Sequence, residues 1–164
     1  MSTETPHATL LALLDGHGAR YRLIDHEPEG RTDVVSAIRG NALAQAAKCI
    51  ILRVKTGKKT SRHLLVVVPG DRRVDLGAAK ALVDGTYASF TDAAAAEALT
   101  GCASGTILPF SFHEDLELVV DPDLLGHEEL YFNAARLEQS MVLNTEDYVA
   151  VAKPRIEKVA EPAA

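Results

Sequence analysis

The sequence predicts an α+β domain in which a mixed, largely antiparallel and barrel-like central sheet is flanked by helices. Three observations predict it. Two strongly apolar runs, Cys49–Val54 and His63–Val68, are separated by Gly57 and a polar, basic stretch, which is the pattern of a β-hairpin. Short helical segments closed by glycines are interspersed with further short strand-like runs. The chain has 164 residues, 47% hydrophobic and 24% charged, which suits a single globular domain that can bury roughly 70% of its unfolded surface.

Taken in order, Ala8 to Leu14 reads as an amphipathic helix closed by Gly16 and Gly18. Tyr21 to Asp25 alternates apolar and polar residues and is expected to be a strand. Thr32 can N-cap a helix through Ile38, with Asp33 in its first turn and Gly40 after its end, and Asn41 to Ala47 reads as a further helical turn. The two apolar runs that follow are too continuous for a sheet with one wet face, so they are expected to be central strands. Pro69-Gly70 ends the second. Asp75 can cap a helix from Leu76 to Val83 stopped by Gly85, and Thr91 can cap an alanine-rich helix through Leu99 that Gly101 terminates. Beyond the turn Gly101–Gly105, strands are expected at Leu116–Val120, Leu130–Asn133 and Met141–Leu143, with a last helix from Thr145 through Val151. No repeat or linker divides the chain. The expected organisation is one domain over residues 1–153 and a flexible, alanine- and proline-rich tail over 154–164.

Composition excludes several function classes. No apolar run approaches the ~20 residues of a membrane span, and Met1 to His7 is too polar for a secretory signal, so a cytoplasmic protein is expected. Cys49 and Cys102 lie far apart without a CxxC partner, which argues against a disulfide framework or a cysteine-rich zinc site. The six histidines show no HExxH or HxH spacing, and no P-loop, GxGxxG or GxSxG is present, so no metal and no cofactor are expected. The net charge of −6 is uneven: Arg53 to Lys80 holds eight bases and two acids, a local +6 that leaves −12 on the remainder. Such a lobe suits one phosphate-bearing partner approached from one side, or is simply the solvated tip of a hairpin.

Two features can carry chemistry. Lys48 stands directly before the apolar run, where its ammonium can polarise a carbonyl or hold a phosphate; the alternative is a lysine snorkelling at a strand end. Gly105-Thr-Ile-Leu-Pro109 is a loop whose glycine lets main-chain N–H groups approach a ligand and whose proline stiffens its far end. Their order adds information. Lys48 is followed by Val68-Pro-Gly-Asp-Arg-Arg-Val-Asp-Leu76, then Gly105-Thr-Ile-Leu-Pro109-Phe110, then Tyr131-Phe132-Asn133-Ala134-Ala135. This series resembles the YbaK/prolyl-tRNA synthetase-associated domain family of trans-editing aminoacyl-tRNA deacylases, over roughly Leu10 to Ala152.

The resemblance implies hydrolysis of the ester between a wrong amino acid and the terminal adenosine of a tRNA, with the adenosine 2′-hydroxyl helping to place the attacking water. It implies catalytic positions at Lys48 and Gly105 and substrate-binding positions at His26, Pro109 and Asn133. Asn133 has a second reading as a residue that holds the loop together, and His26 one as a satisfied structural histidine. The pocket floor is expected from the strands around Lys48 and Leu64–Val68, with the helix after Thr32 and the loop before it as a lid. The implied partners are mischarged tRNA, approached through the Lys55–Arg62 hairpin, and an aminoacyl-tRNA synthetase; neither DNA nor a membrane is implied. Two departures from the family matter. Cys49 replaces the asparagine that follows the lysine in the alanine-specific branch, which argues against alanine as the substrate. Ala135 replaces the glycine of the family's Asn-Ala-Gly strand, which is expected to reshape the pocket. The alternative function is a non-catalytic nucleotide- or acyl-ligand-binding module of the same fold.

Overall fold

A computed structural model describes residues 5–163. The elements run α1 (Pro6–Gly16), β1 (Tyr21–Asp25), α2 (Thr32–Arg39), β2 (Ala47–Lys55), β3 (Ser61–Pro69), β4 (Arg72–Val74), α3 (Leu76–Ala81), β5 (Tyr87–Phe90), α4 (Ala93–Thr100), β6 (Leu116–Val120), β7 (Glu129–Arg136), β8 (Gln139–Asn144), α5 (Thr145–Ala152), β9 (Arg155–Ile156) and β10 (Ala160–Pro162). Single 3₁₀ turns occupy Leu43–Gln45, where a helical turn was expected, and Leu124–Gly126.

The helix starts follow the strength of the available caps. Thr5 and Asp75 accept from the backbone N–H groups of Ala8 and Ala78. Two caps expected at threonine move to the neighbouring Asp92 and Asn144, which accept from Ala95 and Asp147; short carboxylate and amide acceptors outrank threonine there. The displaced hydroxyls bind elsewhere: Thr91 donates to the Ile51 carbonyl at 3.0 Å and Thr145 to the His127 carbonyl at 2.6 Å. At α2 the cap position is Arg31, with no side-chain cap bond; the Glu29 carboxylate instead accepts from the N–H groups of Gly30 and Arg31.

The strands form a five-stranded sheet of order β5-β2-β3-β6-β9, a three-stranded sheet β1-β8-β7 and a two-stranded ribbon β10-β4. The expected single barrel-like sheet is therefore divided, with one isolated bridge, Ala46 to Tyr131, between the larger two. Its largely antiparallel character holds, the exceptions being β3–β6 and β6–β9. The β2–β3 hairpin forms as expected, from Ala47 opposite Pro69 to Lys55 opposite Ser61.

β3 is apolar on successive residues because both faces of its sheet are covered. Leu65 and Val67 join Ile51, Leu118, Phe132, Met141, Leu10 and Tyr148 in one core beneath the three-stranded sheet, α1, α4 and α5. Leu64, Val66 and Val68 join Leu52, Val54, Val74, Ala79 and Val159 in a second core beneath α3 and the ribbon. Fully burying each such side chain contributes about 1.5–3 kcal/mol, so the hairpin anchors both layers.

The segment from Pro154 departs from the expected flexible tail. β9 pairs with β6, β10 pairs with β4, and Val159 is fully buried, while the Asp121 carboxylate accepts from the N–H groups of Val159 and Ala160. These strands are too short to show a period; tertiary pairing creates them.

Candidate active site

β5 covers β2 only from Leu52 to Lys55. The preceding edge of β2 is left without a strand neighbour on that side, and a cavity of about 640 Å3 fills the gap. The volume lies inside the roughly 300–1,000 Å3 of small-molecule sites. Its walls come from Gly30 to Asp33 and Arg39 at one side, Thr91, Ala93 and Ala96 at the other, and Ser104, Gly105 and Ile107 across the mouth. Strand alternation orients the floor. The Thr91 N–H and hydroxyl both donate to the Ile51 carbonyl, so the peptide groups of Cys49, two residues back, face the same open edge.

Lys48, Gly105 and Asn133 all line this cavity. The Lys48 ammonium makes no hydrogen bond or ion pair among the described residues, while its main chain pairs with Val68 of β3. Burial lowers its pKa below the ordinary lysine value, with the charge of Asp71 opposing the shift. Gly105 has φ +85°, and a Cβ built there would fall 2.8 Å from the Gly30 Cα. Glycine is thus required twice, once by its own backbone and once by its neighbour's. Asn133 bolts the two loops together: its Nδ2 donates to the carbonyls of Glu29 at 2.7 Å and Gly105 at 3.2 Å.

His26 and Pro109 are not among the cavity-lining residues. The His26 ring lies behind Asn133, with Nδ1 2.8 Å from the Glu27 carbonyl and Nε2 2.6 Å from the Ser140 hydroxyl. Because a carbonyl only accepts, Nδ1 carries a proton. Ser140, fully buried, in turn donates to Asn133 Oδ1 at 3.2 Å. His26 therefore reaches the cavity through Ser140 and Asn133. Pro109 is buried, and its carbonyl accepts from the Tyr148 hydroxyl at 2.7 Å, which fixes the far end of the Gly105 loop to α5. The expected floor residues Leu64–Val68 also lie outside the lining, since β3 sits behind β2 in the sheet interior. Ala135 is likewise outside it; it occupies the bulge of β7 with φ +64°.

Sequence reasoning missed Arg39. Its guanidinium lines the cavity and is held by neutral groups only: Asn41, Ser36 and Ser140 at 3.0, 3.2 and 3.2 Å, Asn133 at 3.5 Å, and the face of Tyr131 at 5.9 Å. Burial without a carboxylate partner lowers its pKa to about 10, so it remains charged at neutral pH. Nothing in the local sequence marks it, because an arginine in the last turn of a helix is ordinary; only its distance to Ser140 across the fold does. Arg39 and Lys48 together give the cavity two positive charges without an ion-paired carboxylate among the described residues, which favour an anionic ligand. The thiols have the opposite character. Burial pushes Cys49 and Cys102 upward and keeps both protonated, so neither is a ready nucleophile.

The geometry can hold an anionic group at Lys48 and Arg39 and present main-chain groups of the Gly105 loop to a neighbouring carbonyl. Comparison with known proteins agrees. The chain is 41% identical over 151 residues, 92% of its own length and 90% of the relative's, to the Multifunctional Ser/Thr-tRNA deacylase ProXp-y of Escherichia coli (strain K12). Its fold matches the crystal structure of the hypothetical protein APE2540 with TM-score 0.82 at 22% identity, covering 93% of this chain and 99% of that one. A protein provisionally described as a trans-editing enzyme for prolyl tRNA synthetase matches with TM-score 0.78, also at 22% identity, over 98% and 99% of the two chains. Residues 26–151, which include every residue that lines the cavity, match the aminoacyl-tRNA editing domain, and the chain belongs to that family.

Proposed function

We propose that this protein hydrolyses seryl- and threonyl-tRNA formed in error in the cytoplasm, releasing the amino acid and intact tRNA. The observation that carries the reading is the convergence of Lys48, Gly105 and Asn133 on one cavity at the open edge of β2. Kinship with a Ser/Thr-tRNA deacylase at 41% identity supports the choice of amino acids. So does the lining, in which the hydroxyls of Thr32, Thr91 and Ser104 stand among Ile50, Ile51 and Ala96. A cavity of about 640 Å3 is far larger than a serine side chain and accepts the whole aminoacyl-adenosine end. The synthetase that makes the error cannot strongly reject a near-isostere, so a second pocket must remove it.

In the reaction a water oxygen attacks the ester carbonyl carbon and the bond to the ribose oxygen breaks. The water's proton passes by way of the adjacent ribose hydroxyl to the leaving oxygen. Lys48 holds the terminal phosphate or the carbonyl oxygen, and the Gly105 loop positions the ester. No covalent enzyme intermediate is needed, because an activated ester responds to positioning and electrostatic stabilisation.

Hydrolysis of alanyl-, cysteinyl-, seryl- and threonyl-tRNA in parallel tests the substrate assignment. The expected result is rapid loss of the seryl and threonyl esters and slow loss of the other two. Preferential cleavage of alanyl-tRNA would overturn it.

A further inference from the structure

If the cavity takes the aminoacyl end of a tRNA, the nucleotides before that end must lie on a surface that leads to it. The charge left over after ion pairing identifies one. Among the bases of the positive lobe, Arg62 is bound to Glu117, Arg72 to Asp123 and Arg73 to Glu161. Arg53, Lys55, Lys58 and Lys59 are exposed and form no ion pair among the described residues. Lys80, half-buried on α3, also has no ion pair among the described residues, so the exposed unpaired charge of the lobe is confined to the outer half of β2 and its turn.

The same place carries the two most exposed large apolar side chains of the described residues. Tyr87 and Phe90, at the two ends of β5, are 62% and 60% exposed. β5 is an edge strand, where bare aromatic groups invite unwanted pairing unless they have a use. Phe90 lines the cavity mouth. Tyr87 sits opposite Lys55 in the β2 register, and Ser89 opposite Arg53. Cross-strand partners share a face, so both cations stand beside the Tyr87 ring. The alternation of β5 puts Phe90 on the opposite face, so a path from Tyr87 to the cavity mouth crosses the β5 edge. Lys48 and Lys55 are the second and last residues of β2, about 23 Å apart at ~3.3 Å per residue. A few unstacked nucleotides cover that span.

We propose that the β5 edge is a track for the unpaired 3′-terminal nucleotides of tRNA: one base stacks on Phe90 at the cavity mouth, an earlier base stacks on Tyr87, and the intervening phosphates face Arg53 and Lys55. Aromatic platforms beside unpaired cations are the combination that single-stranded nucleic acid requires, and stacking on them tolerates any base. This inference rests on the editing function. It narrows the expected approach through the Lys55–Arg62 hairpin to a single-stranded contact.

The test uses the full chain with two probes. The first is seryl-tRNA. Phe90→Ala and Tyr87→Ala should each raise KM about tenfold, the order that loss of one stacked base produces, with a smaller change in kcat. Phe90→Tyr should restore the affinity and Phe90→Leu should not. Arg53→Gln with Lys55→Gln should flatten the dependence of log affinity on log salt by about 0.7 per phosphate lost. The second probe is a short oligoribonucleotide that copies the unpaired 3′ end and carries no amino acid, with binding read by fluorescence anisotropy. Weaker binding to the Tyr87→Ala variant supports the track even if no ester is cleaved, a result that would count against the editing function alone. Equal binding of the oligonucleotide by wild type and both alanine variants overturns the track. A change of oligomeric state in those variants with unaltered oligonucleotide binding also overturns it, and makes the edge a contact between copies of the chain.

Discussion

Gly30 and Gly105 meet backbone to backbone: a Cβ at Gly105 would stand 2.8 Å from the Gly30 Cα, and one at Gly30 would stand 3.1 Å from the Gly105 Cα. The contact joins the loop before α2 to the loop after α4, and Asn133 donates to a carbonyl on each. The mouth of the cavity is thus set by two segments with no side chain between them.

The two glycines are not equivalent. Only Gly105 has a positive φ, so Gly105→Ala adds backbone strain to the steric clash. It is expected to destabilise the protein by about 1–3 kcal/mol and to abolish most deacylation. Gly30→Ala meets the Leu137 Cδ2 and the Gly105 Cα at 3.0 and 3.1 Å, contacts that small shifts relieve, and should cost about 1 kcal/mol with partial activity. Urea unfolding alongside single-turnover hydrolysis separates the two; equal effects would remove the special place of Gly105.

Ala135 holds φ +64° in the β7 bulge, a conformation that favours glycine. Ala135→Gly relieves roughly 1–2 kcal/mol of left-handed strain and adds about 0.4–1 kcal/mol of unfolded-chain entropy. The net expectation is a gain of about 0.5–1 kcal/mol. Because Ala135 does not line the cavity, substrate preference should stay the same. A shift of the preferred amino acid would show that the bulge shapes the pocket after all.

The His26 ring is linked to Asn133 through Ser140, which we propose makes it a positioning residue. His26→Ala and Ser140→Ala should each lower kcat more than they raise KM, since both loosen Asn133 and neither touches the cavity. Their effects on stability should be non-additive by about 0.5–3 kcal/mol in a double-mutant cycle, as for groups in one network. Strict additivity would break the proposed link.

Lys48 gives a pH signature. Burial holds its folded-state pKa below that of the unfolded chain. Between those two values the unfolded chain carries the extra proton, so stability rises with pH through this alkaline window and is flat below it. Activity that needs the ammonium should fall through the same window. Lys48→Met should remove the rise in stability, followed by denaturant unfolding against pH. A rise that persists in the variant would place its origin elsewhere.

Much of the scaffold was legible in the sequence, because β2, β3 and β6 are apolar on successive residues and most helices end at a glycine or start at a polar cap. Lys48 and Gly105 were legible as a lysine at a strand start and a glycine in a proline-ended loop, whereas Asn133 was reached only through the family resemblance of the Tyr131–Ala135 run. β5, β9 and β10 were not. They have four, two and three residues, and pairing with partners far along the chain determines them. Arg39 and Ser140 were missed for the same reason. Each is an ordinary residue on its own element: Ser140 meets Asn133 only as its partner across the β7–β8 hairpin, and Arg39 meets both only because α2 packs there.

The central claim is that Lys48 serves turnover at this cavity and does more than hold a ligand. Single-turnover hydrolysis of seryl-tRNA by wild type and Lys48→Ala, with tRNA affinity measured on the same samples, tests it most directly. The predicted result is a fall in the hydrolysis rate of about a hundredfold or more, the size expected when one electrostatic contact to the transition state is lost, with a much smaller loss of affinity. A wild-type rate no faster than spontaneous ester hydrolysis, with Lys48→Ala weakening only ligand binding, would contradict the account and make the cavity a binding site without turnover.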